Sequence, residues 1–142
     1  MTTSRAFLFL QGPHGPFFRQ LSGMLRKTGA QVWRVGFNAG DAAFWGRAPE
    51  YIPYEGSIDD WPDTLASLLR ACNVTDIVLY GDTRPLHAEA VKQAKTAGLR
   101  VHVFEEGYLR PYWVTYESDG SNGHSQLTKL SVTDMKTALP CP

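Results

Sequence analysis

Glu105 and Glu106 stand side by side at the end of the apolar run Val101–Phe104, and Gly107, Tyr108, Arg110 and Pro111 follow almost at once. Carboxylates placed this way act as nucleophiles, as general bases or as negative charge beside a cationic transition state. Neighbours on extended backbone point to opposite sides, so one glutamate is expected to serve chemistry and the other structure. Gly107 would let the chain turn sharply and bring Arg110 back toward the same crevice. A single carboxylate beside an arginine suits sugar transfer, where an oxocarbenium-like transition state needs negative charge and an acidic substrate needs a guanidinium. The plain alternative is a solvated strand-to-loop turn.

A second group of candidates lies in Gly81-Asp82-Thr83-Arg84-Pro85-Leu86-His87, at the expected start of a helix. There the helix dipole and free N–H groups favour an anion, and Arg84 would supply a fork to a carboxylate or a phosphate. Asp41 can bond a sugar hydroxyl or close an Asx-type turn, the turn being the simpler role. His14 lies in the turn Gly12-Pro13-His14-Gly15-Pro16, where substrate contact and a structural role are equally open. That turn lacks the Lys-Ser/Thr pair of a P-loop and the third glycine of a dinucleotide fingerprint. Pro13 and Pro16 also offer no N–H, so a phosphate loop is not expected there.

Alternating strands and helices must position these groups. Arg5–Leu10 reads as a buried strand, and Phe17, Leu21, Met24 and Leu25 as one face of a helix that opens at Pro16 and stops at Gly29. Gln31–Phe37 is the next strand. Asn38–Gly56 is a long connection with a short strand over Tyr51–Tyr54. Ser57 with Asp60 opens a helix whose apolar stripe is Trp61, Leu65, Leu68, Leu69 and Cys72. Thr75–Tyr80 is a third clear strand. A helix capped by Thr83 then turns Leu86, Ala90, Ala94 and Ala97 inward, and Leu99–Phe104 is the next strand. Trp113–Glu117 would make a short final strand. The series predicts an α/β fold, a Rossmann-like doubly wound parallel sheet over residues 1–117, with 118–142 an irregular, poorly ordered tail.

With 142 residues, 43% of them hydrophobic, the chain can build one domain with a real core. Fourteen basic residues balance fourteen acidic ones, so no long-range field recruits nucleic acid, which is not an expected partner. Cys72 and Cys141 show no ligand spacing, so no metal is expected, and a reducing compartment is. The run Ala6–Leu10 is too short for a signal-peptide core or a membrane span, which points to the cytoplasm.

Four blocks in order carry a likeness: L-Q-G-P-H-G-P-F-F at Leu10–Phe18, F-N-A-G-D at Phe37–Asp41, L-Y-G-D-T-R-P-L-H at Leu79–His87 and F-E-E-G-Y-L-R-P at Phe104–Pro111. With W-V-T-Y-E and S-N-G-H-S downstream, the chain from Phe7 to Ser125 resembles bacterial capsular polysaccharide biosynthesis and export proteins. That resemblance implies a retaining β-Kdo glycosyltransferase of the branch that adds the first Kdo, from CMP-Kdo, to lysophosphatidylglycerol at the inner membrane of Gram-negative bacteria. It implies the N-terminal lobe of a two-lobed, GT-B-like protein. The second lobe, expected to hold most of the CMP-sugar site, has no counterpart here, so a fragment or shortened frame, inactive alone, is expected.

Related proteins carry E-D-G-F where this chain has Glu105-Glu106-Gly107-Tyr108, so the resemblance assigns catalysis to Glu106, as nucleophile or as electrostatic stabiliser. By the same likeness Arg110 and Arg84 bind the Kdo carboxylate or a lipid phosphate, and His14 or His87 orients or deprotonates the acceptor hydroxyl. Asp41, Asp82 and Glu105 join the substrate-binding set. No cofactor is implied beyond the donor CMP-Kdo. The implied partners are the nucleotide sugar, a lysophospholipid and capsule machinery, with a cytoplasmic or peripheral inner-membrane location. A non-catalytic α/β binding or assembly module of the capsule export machinery is the rival reading. A flavodoxin-like hydrolase or nucleotide domain is weaker, because no nucleophile elbow or metal cluster is present.

Overall fold

Four consecutive buried residues, Ala6, Phe7, Leu8 and Phe9, make the first strand a layer covered on both faces. The structure, a computed structural model, describes residues 4–46, 48–107, 113–131 and 133–134. Its elements run β1 (Ala6–Phe9), α1 (Phe17–Lys27), β2 (Gln31–Gly36), α2 (Ala39–Trp45), β3 (Tyr51–Pro53), α3 (Trp61–Ala71), β4 (Asp76–Tyr80), α4 (Pro85–Thr96), β5 (Arg100–Glu106) and β6 (Val114–Ser118). Two 3-10 turns follow at Asn122–His124 and Gln126–Lys129.

The strands form one six-stranded sheet in the order β3-β2-β1-β4-β5-β6. All pairs are parallel except β5 with β6, where Glu106 lies opposite Val114. Period-two alternation sorts the side chains between two cores. Leu8, Leu10, Val35, Ile77, Leu79, Val101 and Val103 meet α3 and α4 on one face. Phe7, Phe9, Val32 and Val78 meet Phe18 of α1 and Trp45 of α2 on the other. Helices on both faces make this the doubly wound α/β fold expected from the sequence. Its strand order reverses direction between β1 and β4, and ligands in such sheets bind beyond the strand ends at that point.

Four local expectations change. Residues 39–45 form α2 inside the stretch read as a connection, because the Asn38 side chain accepts a hydrogen bond from the Asp41 N–H at 3.0 Å and caps the helix. Met24 is 65% exposed rather than inward, and Ala97 is likewise exposed, so each stripe is one residue narrower than its periodicity suggests. α4 starts at Pro85 with Arg84, not Thr83, at the cap position and no side-chain cap bond; proline suits this first position because its fixed φ is already helical and its missing N–H would have no partner within the helix. Packing also continues past residue 117: Ser121 and Ser125 are buried within the segment read as an irregular tail.

At the opposite end of the sheet from the candidate site, Asp76 is fully buried and gathers Arg5, Arg100, His102 and Thr75 around its carboxylate. His102 pairs in turn with the Tyr116 hydroxyl at 2.8 Å. The cluster clamps β1, β4, β5 and β6 together.

Candidate functional site

The loops leaving β1, β2, β4 and β5 enclose two adjoining cavities. One, of about 270 Å³, is walled by Gln11–Gly15 after β1, by Phe18 and Arg19 of α1, by Arg34 of β2, and by Asp41, Phe44 and Trp45 of α2. The other, of about 590 Å³, is walled by Gly81, Thr83, Glu105, Gly107, Thr115, Glu117 and Ser121. Tyr80, Arg84 and Glu106 line both and form the partition between them.

The two glutamates divide as extended backbone requires. Glu105 turns to the α4 side, where its Oε1 accepts from the Ser121 hydroxyl at 2.7 Å. Glu106 turns to the α1 side, is exposed, and reaches the partition. Gly107 allows a close approach to Trp113, and the turn expected after it lies outside the described residues. The Gly107 N–H donates to the Trp113 carbonyl at 2.9 Å, and a Cβ there would lie 2.8 Å from that same oxygen. Arg110 lies outside the described residues.

Arg84 projects from the start of α4 and donates from Nη1 to Gln11 Oε1 at 2.5 Å, linking the β4 and β1 loops. His14 is exposed on the rim of the smaller cavity, with its ring edge-on to Phe44 at 6.3 Å. His87 and Asp82 do not share this setting. His87 is fully buried and lines neither cavity; its Nδ1–H donates to the Gly81 carbonyl at 2.6 Å and holds the turn after β4. Burial pushes its pKa down from 6.5 to about 4, so the ring is neutral at pH 7. Asp82, 4% exposed, accepts from the Ser121 N–H and from His124 Nδ1, both at 3.1 Å, and thereby anchors the segment after β6.

Asp41 lines the smaller cavity, but both its oxygens are engaged. Oδ1 pairs with Arg34 Nη2 at 2.7 Å, and Oδ2 accepts from the Phe37 N–H at 2.9 Å. Arg34 itself did not stand out from the sequence. It is a charged residue in an apolar strand, Gln31–Gly36, and is only 4% exposed. Its guanidinium lies 5.7 Å from the Phe18 ring centre and 5.5 Å from that of Trp45. Nε and Nη1 have no acceptor among the described residues. Desolvation lowers the Arg34 pKa although Asp41 opposes the shift. The signal that reveals it is an arginine interrupting a strand expected to be apolar on both faces.

Among the described residues no cluster of His, Cys, Asp or Glu has the arrangement of a metal site. No helix among them is long and apolar enough to cross a membrane. The site therefore offers one carboxylate at a partition, guanidiniums around it, and cavities of the size that small polar ligands occupy.

Comparison with known proteins bears on what this arrangement belongs to. In the solved structures, the Bordetella bronchiseptica enzyme WbmH in complex with NAD+ superimposes with a TM-score of 0.51 at 16% identity, covering 68% of this chain and 37% of that one. That likeness shows the fold alone, a Rossmann-type sheet. By sequence the chain is 40% identical over 129 residues to the capsule polysaccharide export protein KpsS of Escherichia coli, covering 91% of this chain and 33% of that protein. It is 35% identical over 130 residues to the capsule polysaccharide modification protein LipB of Neisseria meningitidis serogroup A, covering 91% and 31%. The chain thus spans about a third of the length of the curated relatives it matches. Residues 75–132, which hold β4, α4, β5 and β6, match the model of the capsule polysaccharide biosynthesis protein family. By these matches the chain is similar to capsule polysaccharide biosynthesis proteins over residues 75–132, and to capsule polysaccharide export and modification proteins over most of its own length.

Proposed function

We propose that this chain forms the acceptor-side lobe of a capsule polysaccharide β-Kdo transferase, which moves Kdo from CMP-Kdo to a lysophosphatidylglycerol acceptor. The observation that carries the reading is Glu106, which stands at the carboxyl end of β5 on the partition between two cavities, beside Arg84. In this reading the Glu106 carboxylate attacks the anomeric carbon as CMP leaves, and an acceptor hydroxyl then displaces it, so the configuration is retained. The hydroxyl proton passes to His14, the exposed histidine of the same cavity. Arg84, and Arg110 from outside the described residues, hold the Kdo carboxylate or the acceptor phosphate.

Support comes from the capsule polysaccharide names of the relatives and from the agreement of the cavities with the position at which such sheets bind ligands. The NAD+ of the WbmH complex is not carried over, because the β1–α1 turn lacks the dinucleotide glycine pattern. A lobe of this kind works at the cytoplasmic face of the inner membrane, where its lipid acceptor resides.

A second reading, a non-catalytic binding or assembly module of the capsule export machinery, is favoured by Trp113, Val114 and Tyr116. These side chains, of the residue just before the edge strand β6 and of two residues within it, are 67%, 43% and 49% exposed. Transfer of labelled Kdo to lysophosphatidylglycerol by the longest natural form, with and without Glu106→Gln, separates the two. Transfer that depends on Glu106 supports the enzyme reading, transfer unaffected by the substitution overturns the assignment of Glu106, and absence of transfer by the natural form favours the non-catalytic module.

A further inference from the structure

The smaller cavity has a feature that sugar transfer at Glu106 does not require. Its wall contains a guanidinium, Arg34, that is 4% exposed and carries two nitrogens without an acceptor among the described residues. A buried cation left short of acceptors is costly, and Asp41, the one carboxylate paired with it among the described residues, is already shared with the Phe37 N–H. Arg19 of α1 and Arg84 at the start of α4 are exposed on the same cavity.

The N-terminal turn of α1 adds donors of the same kind. Pro16 is the cap residue and no side chain among the described residues caps the helix, so the N–H groups that the helix itself leaves over belong to Phe17, Phe18 and Arg19. The prolines that argue against a phosphate loop in the sequence therefore remove none of these donors. Phe18 and Arg19 wall the cavity, so the positive end of an eleven-residue helix and a half-satisfied buried guanidinium converge on one space.

We propose that this 270 Å³ cavity is an oxyanion site that takes a phosphate group, free or as the ester of a lipid headgroup, against Arg34, Arg19, Arg84 and the first turn of α1. A tetrahedral phosphate presents oxygens in several directions at once, which matches donors arriving from β2, α1 and α4, whereas one planar carboxylate satisfies one fork. Asp41 orients Arg34, and Glu106 keeps the opposite rim for chemistry. The assignment deepens the sugar-transfer reading: it rests on that reading for the acceptor as source of the phosphate, and on the cavity alone for the site.

The test is isothermal titration of the 142-residue chain at constant ionic strength with inorganic phosphate, glycerol 1-phosphate and glycerate as a carboxylate probe. Both phosphate probes are expected to bind at millimolar concentration or better. Arg19→Gln and Arg34→Gln are each expected to weaken them about tenfold, the loss of one charge-assisted hydrogen bond. Should Arg34→Gln fail to fold, Arg19→Gln and Arg84→Gln, both at exposed positions, carry the test. Tighter binding of glycerol 1-phosphate assigns the site to a lipid headgroup, and tighter binding of inorganic phosphate to the free ion. No saturable binding, binding indifferent to these arginines, or glycerate bound as tightly as phosphate overturns the proposal. Glu106→Gln removes a rim anion and is expected to tighten phosphate binding while abolishing transfer. Failure of the transferase reading therefore shows in transfer and failure of this site in the titration.

Discussion

Arg34 of β2 and Asp41 of α2, seven residues apart in the chain, meet as an ion pair of 2.7 Å with side chains only 4% and 6% exposed. The pair fastens the capping turn of α2 to the sheet and fixes the back wall of the smaller cavity. Asp41→Ala strands a buried guanidinium and is expected to cost about 3–5 kcal/mol in urea unfolding, whereas joint replacement by Met at 34 and Leu at 41 restores most of that. A loss below about 1 kcal/mol for Asp41→Ala would mean that the pair does not hold the wall.

His87 gives the fold an acid-sensitive latch. Its folded pKa of about 4 lies below the ordinary 6.5, so the stability tied to the neutral ring is complete above about pH 6.5 and drains as the pH falls toward 4. Urea midpoints across this range are expected to lose up to about 3 kcal/mol. His87→Asn keeps a donor toward the Gly81 carbonyl but cannot charge, and is expected to flatten this limb.

Asp76 acts in a lower window. Hydrogen bonds from Arg5, Arg100, Thr75 and His102 hold its carboxyl far below the usual range against the desolvation that would raise it. Its contribution is present above the unfolded value of about 4 and fades as the pH falls below it. Asp76→Asn is expected to cost about 2 kcal/mol at pH 7, a discounted figure because both arginines are substantially exposed. It should also remove part of the unfolding below pH 4.

Two glycines are expected to respond to alanine with opposite sign. At Gly107 the new methyl would lie 2.7 Å from Trp113 Cβ and 2.8 Å from its carbonyl oxygen, forcing β5 and β6 apart beside Glu106. A loss of about 1–3 kcal/mol is expected. At Gly23, within α1, nothing lies within 4 Å, and a gain of about 0.5–1 kcal/mol is expected. Thermal unfolding of the two variants, run side by side, checks both signs.

Much of this architecture was legible in the residues. Uninterrupted apolar runs such as Ala6–Phe9 and Ile77–Leu79 have one reading in a sheet covered on both faces, and Glu105 and Glu106 separate to opposite sides by alternation alone. What escaped depends on partners remote in sequence or on a single cap. α2 is short, and its start rests on the Asn38 cap, which resembles loop composition. His87 and Asp82 have the residue types of a site but became supports, because Gly81, Ser121 and His124 reached them first. Arg34 looks like an ordinary charge until Asp41, Phe18 and Trp45 are seen to enclose it.

The measurement closest to the central claim is kcat/KM for Kdo transfer from CMP-Kdo to lysophosphatidylglycerol by the longest natural form, compared with its Glu106→Gln variant of equal thermal stability. A carboxylate that attacks the anomeric carbon predicts a fall of about a thousandfold or more, lodged in kcat. A variant within about tenfold of the natural protein would contradict the assignment of Glu106, and with it the transferase reading of the partition between the two cavities.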